Sequence, residues 1–151
     1  MNEPNKIKRG VELELQIESL AYGGMGLARK DDFVIFVKGG IPGQKVIARI
    51  YKKKKGYAEA RVQQILTESP HAVEAPCIHF GTCGGCKFQN LSYEEQLKEK
   101  SNQVEDAFRR LGGFLDFKLD DTIGADPIFN YRNKMEFTFS PHRWVLDTEP
   151  E

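Results

Sequence analysis

The densest chemistry in this chain lies in Cys77-Ile-His-Phe-Gly-Thr-Cys83-Gly-Gly-Cys86, three cysteines with the spacing C-x5-C-x2-C. Spacing this close lets one loop deliver several thiolates to a single metal centre, and thiolates suit both iron–sulfur clusters and zinc. Gly81, Gly84 and Gly85 let the backbone turn sharply and offer amide N–H groups to sulfur. Either centre normally takes four ligands, and the 151 residues hold only three cysteines. Three readings stand on these residues alone. One is a [4Fe–4S] site lacking its fourth cysteine. Another is a zinc site completed by His79 or His71. The third is a set of free buried cysteines. His79 lies between two of the ligands, an awkward place for a fourth arm.

A second constellation is basic. Lys52-Lys53-Lys54-Lys55 sits between two strand-like segments, flanked by Tyr51 and Tyr57. A cationic hairpin beside aromatic rings fits a nucleic-acid backbone with stacked bases; the plainer reading is a solvated hairpin tip. The formal net charge is zero, yet residues 1–67 hold 13 Lys/Arg against 7 Asp/Glu, and residues 68–151 hold 9 against 15. The basic half is the candidate for meeting a polyanion.

The elements that position these groups follow from periodicity. Val11, Leu13, Leu15 and Ile17 alternate with Glu12, Glu14 and Gln16, the pattern of a half-buried strand. Gly23, Gly24 and Gly26 then break the chain. Asp31-Asp32 reads as a tight turn and Phe33 to Val37 as a buried strand. Gly39-Gly40 and Ile41-Pro42-Gly43 are turn signals. Val46, Ala48 and Ile50 alternate with Lys45, Ile47 and Arg49. Tyr57, Glu59 and Arg61 alternate with Ala58, Ala60 and Val62 toward Ile65. Five short strands with glycine-rich turns predict a small barrel of the OB type. Residues 93–111 predict a helix. Ser92 and Glu95 would form its capping box, Tyr93, Leu97, Val104, Phe108 and Leu111 its apolar face, and Gly112-Gly113 its stop. Residues 131–139 alternate again as a strand, with Arg132 and Lys134 on its charged face. No apolar run approaches the ~18 residues of a membrane span. Met1 to Lys8 has no apolar core of the signal-peptide kind. A cytoplasmic protein is expected, where clustered cysteines serve metal or redox chemistry rather than disulfides.

Three segments together resemble the RNA uracil-C5 methyltransferase family, in the branch acting on 23S ribosomal RNA. The first runs from Ile17-Glu18-Ser19-Leu20-Ala21-Tyr22-Gly23-Gly24-Met25-Gly26 through Val34-Ile35-Phe36-Val37-Lys38-Gly39 to Pro42-Gly43, and is TRAM-like. The second is the cysteine loop followed by Phe88-Gln89-Asn90-Leu91-Ser92-Tyr93, Gln96-Leu97 and Lys100. The third is Tyr131-Arg132-Asn133-Lys134-Met135-Glu136-Phe137. The cysteine segment is the specific one; a TRAM module also occurs in methylthiotransferases, whose cluster motif is spaced C-x3-C-x2-C instead.

The resemblance implies a [4Fe–4S] cluster on Cys77, Cys83 and Cys86, with a fourth cysteine beyond Glu151. It implies an S-adenosylmethionine-dependent enzyme. A cysteine adds to C6 of a uracil, C5 takes the methyl group, and a carboxylate base removes the C5 proton. None of those catalytic groups is assignable within these residues, so the chain alone is expected to be inactive. The organisation expected is a TRAM-like OB barrel over 1–68, a linker and cysteine loop over 69–92, and the start of a central α/β domain over 93–151. Lys52, Lys53, Lys54, Lys55, Tyr57, Arg132 and Lys134 are the expected contacts to ribosomal RNA, and a monomer is expected. The alternative is a stand-alone RNA-binding or zinc module without catalysis.

Overall fold

The computed structural model describes residues 7–132, 134 and 139–143. Six strands form one sheet: β1 (Glu12–Gln16), β2 (Ser19–Leu20), β3 (Gly26–Lys30), β4 (Phe33–Lys38), β5 (Lys45–Lys53) and β6 (Tyr57–Thr67), in the order β1-β5-β6-β4-β3-β2. All pairs are antiparallel except β4–β6.

β1 and β2 are two halves of one bent strand. Leu13 and Leu15 pair with β5, and at the bend Ile17 N–H still reaches the Gln44 carbonyl at 2.9 Å. One residue later Glu18 N–H turns to the Leu27 carbonyl at 2.8 Å, and Ser19 and Leu20 pair with β3. The bend lets the first strand serve both ends of the sheet and closes it into a barrel. Counted this way the expected five strands are present, and the sixth is the product of the kink. β5 carries three register shifts against β6, and such bulges strengthen the twist that closure requires.

The alternation seen in the sequence is the alternation of burial. Leu13, Leu15 and Ile17 from the bent strand, Ile35 and Val37 from β4, Val46, Ala48 and Ile50 from β5, and Ala58 and Ala60 from β6 fill one core. Gly26 has no room for a side chain. A Cβ there would stand 2.8 Å from the Gly40 carbonyl oxygen and 2.9 Å from Ile17.

After β6 the chain stays attached to the barrel. Ser69 is buried and its hydroxyl donates to the Pro42 carbonyl at 2.6 Å. Residues 72–91 form a closed loop tied at its neck by an Ala72–Leu91 bridge, by Val73 N–H on the Asn90 carbonyl at 3.1 Å and by Ser92 N–H on the His71 carbonyl at 2.9 Å. Leu20, Ile41 and Leu91, with Ala72 and Phe88 against them, make a second small core where loop and barrel meet.

Helix α1 (Tyr93–Asp106) follows and widens into a π-helical turn over Ala107–Leu111. It stops at Gly112-Gly113, where Gly113 takes a φ of 70°. Two expectations for this helix are corrected. Ser92 makes no side-chain capping bond, and Glu95 does not reach back to it. Glu95 is buried instead, against Lys98 Nζ at 3.1 Å and His71 Nε2 at 3.8 Å. Nor is the apolar stripe the buried one. Glu95 and Glu99 are α1's buried residues, whereas Val104 and Phe108 are nearly half exposed and Leu111 is 87% exposed. Tyr93 and Leu97 meet the returning segment at Gly124 and Ala125, whose N–H donates to Tyr93 Oη at 2.7 Å.

α1 docks on the barrel through the backbone of β2. Leu20 N–H donates to Glu99 Oε2 at 2.5 Å, and the Leu20 carbonyl accepts from Gln103 Nε2 at 3.0 Å. β2 ends the sheet, so these two side chains satisfy a strand edge that would otherwise be open. Among the described residues no helix is long and apolar enough to cross a membrane. The strand expected over 131–139 lies largely outside the described residues.

Candidate nucleic-acid interface

The lysine hairpin forms as its sequence implies. β5 and β6 are joined by a tight turn in which Lys54 N–H donates to the Tyr57 carbonyl at 2.8 Å. The four lysines are not equivalent. Lys52 Nζ is held by Glu59 Oε1 at 2.6 Å, and Tyr51 Oη donates to the other oxygen of the same carboxylate at 3.1 Å. The hydrogen bond to Glu59 raises the Lys52 pKa, and the one from Lys52 lowers that of Glu59. Lys53 Nζ lies 5.8 Å above the Phe33 ring centre, a cation–π placement. Lys54 and Lys55 project at the tip, both exposed.

Tyr57 sits where the hairpin meets the barrel wall. Its ring is edge-to-face with Phe36, with centres 5.6 Å apart. Both rings open onto a cleft of about 980 Å³ between the barrel and α1. Leu27, Val34, Phe36 and Tyr57 make its barrel side; Asn102, Asp106 and Arg110 face them from the helix. The cleft was not foreseen from sequence, although one signal pointed to it. The run Phe33-Val34-Ile35-Phe36-Val37 is apolar on both strand faces; Ile35 and Val37 enter the core with Phe33 packed at its margin, which leaves Val34 and Phe36 on the other face. A second apolar face requires a second cover, and α1 provides part of it.

Charges in the cleft are compensated locally. Arg29 pairs with Glu18. Arg110 grips Asp106 through two bonds, Nε–Oδ1 and Nη2–Oδ2, both 2.5 Å. Glu99 is committed to Leu20. Arg132 and Lys134 are exposed, Arg132 Nε donating to the Lys134 carbonyl at 3.1 Å, and neither lines the cleft.

The cysteine loop packs against the β2–β3 turn. Gly24 has a φ of 90°, and a Cβ on it would stand 2.9 Å from Lys87 Cβ. Within the loop, Cys77 N–H donates to Gln89 Oε1 at 3.2 Å and Cys83 N–H to the His79 carbonyl at 3.1 Å. Gly81 and Gly84 take φ values of 82° and 71°, the turns expected of them. Cys83 and Cys86 are exposed and Cys77 partly so, and all three are free. Among the described residues no group of three His, Cys, Asp or Glu side chains is close enough together to hold a metal ion. The donor chemistry therefore suits a thiolate-bound centre, but the three thiols as placed do not assemble one.

The TRAM domain family matches residues 6–63, which spans the barrel to within β6. The chain is 42% identical over 135 residues to an uncharacterized RNA methyltransferase of Clostridium tetani, covering 88% of this chain and 29% of that protein. An uncharacterized RNA methyltransferase of Listeria monocytogenes is 40% identical over 134 residues, covering 89% of this chain and 29% of the relative. One of Aquifex aeolicus is 37% identical over 131 residues, covering 87% and 31%. The solution structure of a conserved protein of Methanococcus maripaludis is 33% identical, with a TM-score of 0.37, over 38% of this chain and 81% of that one. The chain thus spans about three-tenths of the length of the RNA methyltransferases it matches.

Proposed function

We propose that this chain, a TRAM-domain homologue of RNA methyltransferases, is the RNA-recognition portion of an S-adenosylmethionine-dependent enzyme that forms 5-methyluridine in 23S ribosomal RNA. The observation that carries the reading is the extent of the homology. It runs over 88% of the chain, far beyond the TRAM barrel, and so takes in the cysteine loop and the helix as well. A barrel module shared with unrelated proteins would not produce that.

In this reading the barrel holds RNA by its backbone. Lys54 and Lys55 supply exposed charge at the hairpin tip. Lys52 stiffens the hairpin through Glu59 rather than meeting phosphate itself. Phosphate contacts of this kind position the nucleic acid without reading its sequence. The choice of uracil C5 and of 23S RNA rests on the family resemblance of the cysteine loop and of Tyr131-Arg132-Asn133-Lys134. The methyl donor supplies the methyl group when bound; the residues here bind and orient the substrate.

The same resemblance makes Cys77, Cys83 and Cys86 ligands of a [4Fe–4S] cluster. Drawing the thiols together requires the loop to close around the group. Its tied neck keeps the ends fixed, while Gly81 and Gly84 have open space about them.

RNA binding by this chain should fall steeply with salt. For single strands, log K should decline with log salt at about 0.7 per phosphate neutralised. Equilibrium binding to a fragment of 23S RNA over a salt series measures this. Binding unchanged from low to high salt would overturn the role given to the barrel.

A further inference from the structure

We propose that the cleft between the barrel and α1 receives an unpaired nucleobase of the RNA, stacked on Phe36 and Tyr57, while Lys54 and Lys55 hold the adjoining phosphates. The inference rests on the RNA-recognition reading and adds to it a second, base-binding site that the lysine hairpin alone does not supply.

Four observations converge. First, the floor is aromatic and apolar. Phe36 and Tyr57 form a joined ring surface 5.6 Å between centres, extended by Leu27 and Val34. Every base has a π face, so such a surface accepts a base of any sequence. Second, the volume of about 980 Å³ lies at the upper end of the roughly 300–1,000 Å³ of small-ligand sites. It admits a nucleotide unit and not a duplex. Third, the interior offers no spare cation. Arg29 and Arg110 are matched by Glu18 and Asp106, and the Glu99 carboxylate sits in the wall. Nothing there favours a phosphate over a neutral ring. Fourth, exposed cationic charge is at the mouth. Gly56 and Tyr57 line the cleft, which puts the Lys54-Lys55 tip beside its opening.

Neutral interior and cationic rim together describe a site that separates base from backbone. Asn102, exposed on the helix wall, gives one amide N–H to Glu99 Oε1 at 3.3 Å and keeps its other N–H and its oxygen for the edge of the base. An OB-type barrel presents oligonucleotides on the corresponding strands; here α1 adds the opposite wall, so the base is enclosed rather than laid on an open face.

The test is fluorescence anisotropy with a labelled single-stranded oligoribonucleotide and with a duplex RNA of equal length. Phe36→Leu and Tyr57→Leu should each weaken single-strand binding about tenfold or more and leave duplex binding unchanged. Tyr57→Phe should bind as the unaltered chain does. Asn102→Phe, at an exposed helix position, should fill the cleft and weaken single-strand binding in the same way. Lys54→Gln with Lys55→Gln should weaken both RNAs and flatten the salt dependence. Single-strand binding unaffected by Phe36→Leu, Tyr57→Leu and Asn102→Phe, with salt dependence intact, would overturn the cleft proposal alone. Equal losses on single strand and duplex would overturn it too. Failure of the unaltered chain to bind either RNA would overturn the RNA reading and the cleft proposal together.

Discussion

Glu59 shows how much a single residue decides about the hairpin. Its carboxylate accepts from Lys52 on one oxygen and from Tyr51 on the other, which converts part of a cationic run into a structural clamp. The sequence shows four equal lysines; the structure sorts them into one salt-bridged, one seated over Phe33 and two projecting at the tip. The Lys52 hydrogen bond holds the Glu59 pKa below its ordinary 4.5. A depressed carboxylate contributes stability that is full above its unfolded pKa and is lost as pH falls through the folded value. Glu14 beside Lys45 and Asp106 beside Arg110 are shifted the same way. Thermal melts of the chain should therefore fall with acid below about pH 4.5, and Glu59→Gln should show a shallower fall. The two pH profiles compared by circular dichroism check this, and parallel profiles would remove Glu59 from the account.

At the scale of elements, the informative contact is α1 against β2. Hydrophobic periodicity placed the helix correctly over 93–111 and misjudged its inward face, because the partner is a strand edge and not an apolar surface. An edge presents backbone N–H and C=O groups, and these call for Glu99 and Gln103 rather than leucine. No pattern in a single sequence distinguishes a glutamate that will cap a strand from one that will face water. Glu99→Ala would leave the Leu20 N–H without its partner and should cost about 1–3 kcal/mol. Amide hydrogen exchange locates the effect: Leu20 should lose protection while Ile35 and Val46 in the barrel core keep theirs. Uniform loss of protection would mean that the latch is part of the barrel's own stability. The same substitution should widen the cleft, since Glu99 and Gln103 fix the distance between its walls.

At the scale of the whole molecule, the barrel, the tied loop and α1 form one connected body through Leu20, Ile41 and Leu91. The cysteine loop rests on Gly24 and on the neck at Ala72–Leu91, so its closure around a metal centre would be felt at the β2–β3 turn beside the cleft. Anaerobic reconstitution with iron and sulfide should load a cluster that Cys83→Ser abolishes, and iron and sulfide analysis measures it. Zinc bound in place of both would favour the stand-alone zinc module instead. If the cluster pins the loop, Cys83→Ser should also weaken RNA binding without unfolding the barrel.

The cysteine loop itself marks the division between what sequence and tertiary structure decide. Spacing alone determined that Cys77, Cys83 and Cys86 belong to one loop, that glycines turn it, and that strands of alternating polarity build a barrel before it. These are local properties, set by side-chain type and by periods of two and 3.6 residues. The tertiary structure decided what no local rule contains: that the first strand bends to close the sheet, that Glu99 caps β2, that Phe36 and Tyr57 meet across β4 and β6, and that a helix from far along the chain walls in their cleft. Each joins groups far apart in the chain, and each depends on which backbone and side-chain groups would otherwise be left without a partner.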